Sequence, residues 1–393
     1  MSDILSKSTK LFWKEEAVAG TPETIIGSDG FDVESGFSPM TKTVEEISRN
    51  NLSAGEGTQK SQQGVESSAF SVEMEFKCAD TEGDAPEAGV GYHSCLGGKT
   101  AQAQQAIVSS ADGASINVAG ADSLYKKGMI LTIEDVGGAA KYSAAIADIS
   151  GDDITLTATY SGGAFAGTDV VRAITTFYTE DSSATAFSGE AVKPSMTVLQ
   201  QENGSKHTTA AGVRPESLEI TASVFELPKA SLSAQGLSMT VSTGETPLVP
   251  SFDTTVPNVV RNAPIRVNGA EFEARDFSLS VSNTVANRDI TNGGRTGNFI
   301  TEREVTGSFT IYAQDDSTVL EDIRDTNADI QLEIIIPSSA ISGDYEEVAS
   351  ICVNDATITN VSYGNESSLG TATAEFKCYV ANPGQPEVVL SFS

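Results

Sequence analysis

Two segments about 240 residues apart follow one plan: an arginine, a long polar stretch bearing glycines, then a strand that alternates apolar and polar residues. The first runs from Arg49 and Asn50 through Gly55, Gly57 and Gly64 to Phe70, Val72, Met74 and Phe76. The second runs from Arg288 and Asp289 through Gly293, Gly294, Arg295 and Gly297 to Phe309 and Ile311. In both, the arginine and an aromatic are 21 positions apart (Arg49 to Phe70, Arg288 to Phe309), and a Thr-Val pair precedes the arginine. Internal repetition constrains architecture before any local signal does. It predicts two copies of one β-rich unit, and a function that lies in an assembly rather than in a pocket.

The polar stretches, Arg49 to Glu66 and Arg288 to Glu304, read as loops of roughly twenty residues. Loops of that length inside a compact domain are uncommon and tend to be functional or disordered. Their duplication marks them as contact elements. After each copy of the strand a short helix is expected. One falls near Asp84 to Leu96, the other near Asp316 to Arg324, where Ser317 is a cap and Val319, Leu320 and Ile323 form an apolar stripe.

Elsewhere strand signals dominate. Phe277, Leu279 and Val281 alternate with serines, and Ala374, Phe376, Cys378 and Val380 repeat the pattern, as a sheet with one wetted face requires. Between the copies, short apolar groups (Ile116 to Val118, Met129 to Ile133, Ile146 to Ile149, Ile154 to Leu156, Val170 and Val171) are separated by glycine turns. This is the pattern of a small barrel or sandwich, placed here at 113–174, with Ala101 to Ala106 as a connector. A stretch with three prolines, Thr246 to Pro257, reads as an extended tether between the copies.

Acidic residues outnumber basic ones 54 to 24, for a formal charge of −30. Binding to duplex DNA by phosphate neutralisation needs clustered Lys and Arg, which this chain lacks. No apolar run is long enough for a transmembrane helix, and the N-terminal residues do not form a secretory signal. Cys78 and Cys378 fall in phase with apolar strand faces and read as buried hydrophobes. The chemistry-bearing residues are sparse. His93 lies in Gly91-Tyr-His-Ser-Cys-Leu-Gly97, whose spacing around Ser94 does not match a nucleophile elbow; His207 lies in a turn context. Asp80 to Asp84 lacks the twelve-residue calcium-loop arrangement, and Gly293 to Gly297 lacks the strand-to-helix setting of a phosphate cradle. No catalytic residue, metal or cofactor is expected.

Several stretches together resemble the major tail tube proteins of long-tailed, non-contractile bacteriophages. They are Leu11 to Pro22, Ala263 to Gly269 with Asn283 to Asp289, and Val361 to Thr371. The resemblance implies a mainly β chain with two tube-type β-sandwich or barrel domains, each with a short helix, plus a small inserted β-domain. The expected division is 1–112 with 175–245, the insert at 113–174 on the tube exterior, a linker at 246–262, and 263–393. It further implies stacked rings, trimeric with pseudo-sixfold symmetry or hexameric, around a DNA channel, in a virion tail assembled in the host bacterial cytoplasm. Tail terminator, tail tip and tape-measure proteins would be partners; DNA would pass without specific binding, and no membrane is involved. Arg49, Asn50, Gly57, Arg288, Asp289 and Arg295 would then join ring to ring. Ser71, Glu73, Glu75, Thr306, Ser308 and Thr310 would line the lumen, where carboxylates and hydroxyls keep phosphates from adhering. Competing readings are a tail-tip or decoration protein, a β-rich adhesin and a β-rich enzyme. The single tryptophan, Trp13, and the missing secretion signal weigh against the adhesin, and the histidine count against the enzyme.

Overall fold

The computed structural model describes residues 9–33, 38–47, 62–134, 141–180, 193–202, 205–253, 255, 260, 265–290, 294–312, 318–337, 340–341, 344–345, 348–366, 369–380 and 385–393. The chain is mainly β. It opens with β1 (Lys10–Glu15), β2 (Gly30–Phe31), β3 (Ser38–Ile47), β4 (Gln62–Glu75), helix α1 (Gly89–Leu96) and β5 (Gly97–Gln102). A separate group follows: β6 (Gln105–Ala106), β7 (Ser109–Asp112), β8 (Ser115–Asn117), α2 (Ala121–Leu124), β9 (Ile130–Glu134), β10 (Lys141–Ser150), β11 (Asp153–Leu156) and β12 (Val170–Val171). The first unit resumes with β13 (Ile174–Thr179), β14 (Met196–Glu202), β15 (Lys206–Ser223), β16 (Lys229–Gly236) and β17 (Ser238–Thr243). The second unit begins with β18 (Ile265–Val267), β19 (Ala270–Phe272), β20 (Ala274–Ile290), β21 (Gly294–Tyr312) and α3 (Thr318–Thr326). It ends with β22 (Ile330–Pro337), the small hairpin β23 (Ala340–Ile341) and β24 (Asp344–Tyr345), β25 (Val348–Glu366), β26 (Leu369–Cys378) and β27 (Val388–Phe392).

Pairing makes the duplication explicit. Strands β3-β4-β16-β15 form one half of a broad antiparallel sheet and β20-β21-β26-β25 the other, in matching order. The N-terminal halves of β15 and β25 turn away into a second layer. There β15 pairs with β14 and β17, while β25 pairs with β22 and β27. Beyond them β1 and β2 flank β14 just as β18 and β19 flank β22. Bulges break β15 between Pro215 and Ser217 and β25 between Ile358 and Asn360. Such bulges bend a strand and so let it serve two sheets. Gly212 assists the turn at φ +63, where Leu237 leaves no space for a Cβ.

Aligning the two bulges places Leu218 with Val361 and, through Leu232 and Ala374, Val72 with Phe309. The sequence match, which aligns Phe70 with Phe309, is therefore two residues out of structural register. A slip of two keeps every side chain on its own face, so the repeat remains visible despite the offset. A larger correction concerns the polar stretches. Residues Gln62 to Glu66 are strand, and Arg288 to Glu304 form the distal part of a long hairpin, with Arg288 opposite Gly297 and Asp289 opposite Arg295. Glycine and polarity suggested loop there, but cross-strand pairing of Val285 with Ile300 and Ala286 with Phe299 continues the ladder. Arg49, Asn50 and Gly57 lie outside the described residues, as does Ser317.

One face of the broad sheet is apolar across its width: Val72, Leu232, Leu218, Val281 and Val305 lie side by side, and all are buried. Helix α1 covers this face in the first unit. Tyr92, Cys95 and Leu96 point inward, Trp13 lies over Gly91, and Gly97 ends the helix in the left-handed region at φ +100. In α3 Leu320 is buried and Ile323 packs against the core, whereas Val319, expected in the same stripe, is exposed. Cys78 and Cys378 are buried as expected, and all four cysteines are free thiols.

The group β6 to β12 forms its own seven-stranded sheet in the order β6-β12-β9-β10-β11-β8-β7. The tract Ala101 to Ala106, read from the sequence as a connector, supplies the end of β5 and all of β6. Though this group interrupts the first unit, its core runs into the second, taking in Ile335, Val348, Cys352 and Val389. Its stem strand β13 pairs with β5 on one side and with β27 on the other. Glu333 accepts from Ala145 N–H at 3.2 Å, and Thr132 Oγ1 lies 2.8 Å from Ser393 Oγ. Phe392 of β27 stacks on Tyr92 of α1 at 5.9 Å, closing an aromatic cluster with Phe76 and Phe177.

The proline stretch is extended but not free. Gln201 grips Leu248 by both backbone groups, donating to its carbonyl at 3.1 Å and accepting its N–H at 2.7 Å. Further on, Glu87 accepts the Asp253 N–H and Asp80 accepts the Thr255 N–H.

Candidate functional site

The face opposite the apolar rows carries the six residues singled out from the sequence as lumen-facing. Three cross-strand rows define it: Ser71, Ser233, Ser217, Ser282 and Glu304; then Glu73, Ser231, Glu219, Ser280, Thr306, Lys377 and Thr357; then Glu75, Lys229, Thr221, Ser278, Ser308, Glu375 and Asn360. Thr310 continues the pattern beside Thr373, with their hydroxyls 3.0 Å apart. Hydroxyls and carboxylates make up nearly the whole surface. Its two lysines in these rows are paired, Lys229 with Glu73 at 2.7 Å and Lys377 with Glu304 at 2.5 Å. Acidic groups therefore remain in excess on a wide, continuous wall.

At the two sides of this wall the sheet stops on open strands. Among the described residues β3 pairs only with β4, and the C-terminal half of β25 pairs only with β26. The corresponding strands inside the chain are not open. The C-terminal half of β15, the counterpart of β25, pairs with β20, the counterpart of β3: Ser217 with Ser282, Leu218 with Val281, Glu219 with Ser280. One unit thus completes the edge of the other along this internal junction. An unpaired strand edge is a template for pairing with another chain.

Beyond one end of the sheet the β20–β21 hairpin projects. Near its distal end Asn298 Nδ2 donates to Gly212 O at 2.7 Å, and further back Asn283 Nδ2 donates to Cys95 O at 3.2 Å. Arg303 forms a buried ion pair with Glu387 at 2.6 Å. Arg288, Asp289 and Arg295 lie at the distal end, Arg295 Nε being 3.1 Å from Asp289 Oδ1.

The residues that could have suggested catalysis are occupied structurally. His93 Nδ1 is 2.8 Å from Glu15 Oε1 on β1, and the Ser94 hydroxyl donates to Pro194 O at 2.7 Å. His207 Nε2 is 3.1 Å from Gln201 Oε1, within the grip on Leu248. Within the Asp80 to Asp84 turn, Glu82 holds Arg172 at 2.7 Å. Among the described residues no group of three or more His, Cys, Asp or Glu could hold a metal ion. A cleft of about 190 Å³ lies against Phe31, Met74, Lys77 and Glu87, below the usual several-hundred Å³ of ligand sites. Burial pushes the Glu87 carboxyl above its ordinary range, although the Asp32 and Asp253 N–H groups donate to it.

Sequence reading located the polar face but not the open edges. Alternation reveals which side of a strand is wet; it does not reveal which strand has no neighbour.

A duplicated β unit with a wide polar wall and unpaired flanks describes a structural protein of the assembling kind. The chain belongs to the phage tail tube protein family, whose profile, described as phage tail tube protein, matches residues 6–385. That family comprises structural tail components of the virion rather than enzymes. No curated protein matches the chain. No helix among the described residues is long and apolar enough to cross a membrane.

Proposed function

We propose that this chain polymerises as stacked rings that form the hollow tube of a phage tail, through which genomic DNA is delivered. Three chains make a ring of six tube units, 1–112 with 175–245 and 263–393 in each, so the symmetry is threefold by chain and pseudo-sixfold by unit. The 113–174 group stands outside the tube, and the rows of Ser71, Glu73, Glu75, Thr306, Ser308 and Thr310 face the channel. Assembly takes place in the host bacterial cytoplasm, with tail terminator, tail tip and tape-measure proteins as further partners.

The observation that carries this reading is the internal junction. Because β15 joins β20 inside the chain, the equivalent open strands β25 and β3 supply the same junction between chains. The correspondence even specifies register: Asn360 opposite Thr43, Val361 opposite Lys42, Ser362 opposite Thr41, each mirroring a pair of the internal junction. Closing a sheet on itself removes its edges altogether, and about two dozen strands enclose an open channel rather than a filled core.

Paired Thr41→Cys and Ser362→Cys substitutions test it. Under oxidation the double variant should give covalent dimers and closed trimers, while each single variant gives neither. Monomers alone from the double variant would sink the ring reading.

A further inference from the structure

Among the described residues four non-glycine residues have positive φ: Asn268, Asn327, Asp355 and Phe225. The first three are of the types that tolerate the left-handed region, because their short polar side chains bond locally. Phe225, at φ +68, is not. It occupies the turn from β15 to β16 and is 75% exposed. Glycine or asparagine would hold this turn without crowding the backbone and without presenting a phenyl ring to water. The strained conformation is fixed from outside the turn: Phe225 N–H donates to Val260 O at 2.9 Å, and Val260 N–H donates to Glu226 O at 3.0 Å. Backbone strain at an exposed aromatic points to a contact the isolated chain lacks.

Its position says with what. The turn adjoins the start of β20, where Ser223 faces Asp276 and Val224 N–H donates to Arg275 O. The Arg288–Arg295 hairpin end lies at the opposite end of that same strand, roughly 40 Å along it at the usual rise per residue. The two features therefore mark opposite poles of the sheet. They are also complementary. The hairpin end carries Arg288 and Arg295 against one acid, Asp289, in a chain of net charge −30. In and beside the Phe225 turn stand Glu226 and Asp276, while the bases there are already engaged, Arg275 with Asp276 at 3.4 Å and Lys229 with Glu73 at 2.7 Å. A guanidinium over a phenyl ring with carboxylates at its rim is a favourable and directional pairing.

We infer that Phe225, with Glu226 beside it, is the receiving site for the Arg288–Arg295 hairpin of a second copy of this chain stacked pole to pole. The inference rests on the stacked-ring reading above. It adds the residues on the accepting side.

The test measures tube length by electron microscopy, and ring closure by the disulfide crosslink formed when Thr41→Cys and Ser362→Cys are added to the full chain. Phe225→Gly should keep the fold and the crosslinked ring but shorten tubes at least tenfold. Glu226→Arg should shorten them as well, and Arg288→Glu in the same chain should restore length by exchanging the charges. Tubes of undiminished length from Phe225→Gly would overturn the inference while leaving the ring reading intact. So would failure of the charge exchange to restore length, since the hairpin would then have another acceptor. Absence of both rings and tubes from the unsubstituted chain would overturn the two together.

Discussion

Leu218 on β15 lies directly opposite Val281 on β20, joining the first unit to the second at the centre of a continuous apolar row. Both side chains are buried, and on the polar face the neighbouring pair is Glu219 with Ser280. The junction between the units is therefore built as a sheet interior rather than as a domain contact. Its equivalent positions at the flanks, Val361 and Lys42, belong to strands that have no such partner within the described chain.

The two faces of β21 differ in what they contribute to stability. Phe309 is fully buried between Phe277 and Ala374, whereas Ser308 on the opposite face shares one hydroxyl contact with Ser278 at 3.0 Å. Phe309→Ala should cost about 3–5 kcal/mol, by lost transfer energy and a residual cavity. Ser308→Ala should cost no more than about 1 kcal/mol. Urea denaturation of both variants checks the assignment; equal losses would contradict it.

Glu333 ties the inserted group to the second unit from a fully buried position, with Arg266 Nη1 3.7 Å away. Burial raises its carboxyl above the ordinary range, and the Ala145 N–H and Arg266 only partly offset this. The folded state then holds the proton more tightly than the unfolded chain. Its contribution to stability is present in acid and is lost as pH rises from the ordinary carboxylate value through the raised one. Glu333→Gln should flatten that slope. Thermal midpoints at about pH 5 and about pH 8 should differ less in the variant than in the parent; an unchanged difference would place the slope elsewhere.

Gln201 is buried and spends its amide on both backbone groups of Leu248. Gln201→Ala leaves those groups unsatisfied, for a loss of about 1–3 kcal/mol. Limited proteolysis should show faster cleavage within 245–253, and unchanged cleavage would mean that the prolines alone hold the segment.

Charge on the polar wall sets its behaviour toward nucleic acid. Glu219 and Thr306 flank Ser280 in one row. Glu219→Lys with Thr306→Lys should give assemblies that retain duplex DNA at low salt and release it as salt rises, because bound phosphates displace counterions. Equal retention by the parent would contradict a non-adhesive channel.

Period-two alternation made the strands around Phe70, Phe277, Phe309 and Phe376 legible, and with them the polar face. Helix α1 was legible only in outline, from its place after the first repeated strand. The distal hairpin was not: in Arg288 to Glu304 glycine and polar residues outnumber Ile290, Phe299 and Ile300, and the buried Asn298 is itself polar, so the strand resembles a loop. Nor was the docking of the inserted group on the second unit. That depends on Glu333, Ser391 and Ser393, ordinary polar residues whose partners are far off in sequence. Edge status escaped notice for the same reason. A missing neighbour leaves no mark on the strand that lacks it.

The pairing of β13 with β27 has a consequence for how the chain comes into being. Tyr178 meets Val389, so the stem of the inserted group waits for a strand more than two hundred residues further along. Contacts this distant form late and slowly, after the loop between them has been closed. During synthesis the first unit emerges with an incomplete outer layer and cannot take its mature form by itself. On the ring reading proposed above, a half-made subunit would offer only the β3 flank of the wall, since β25 follows in the second unit.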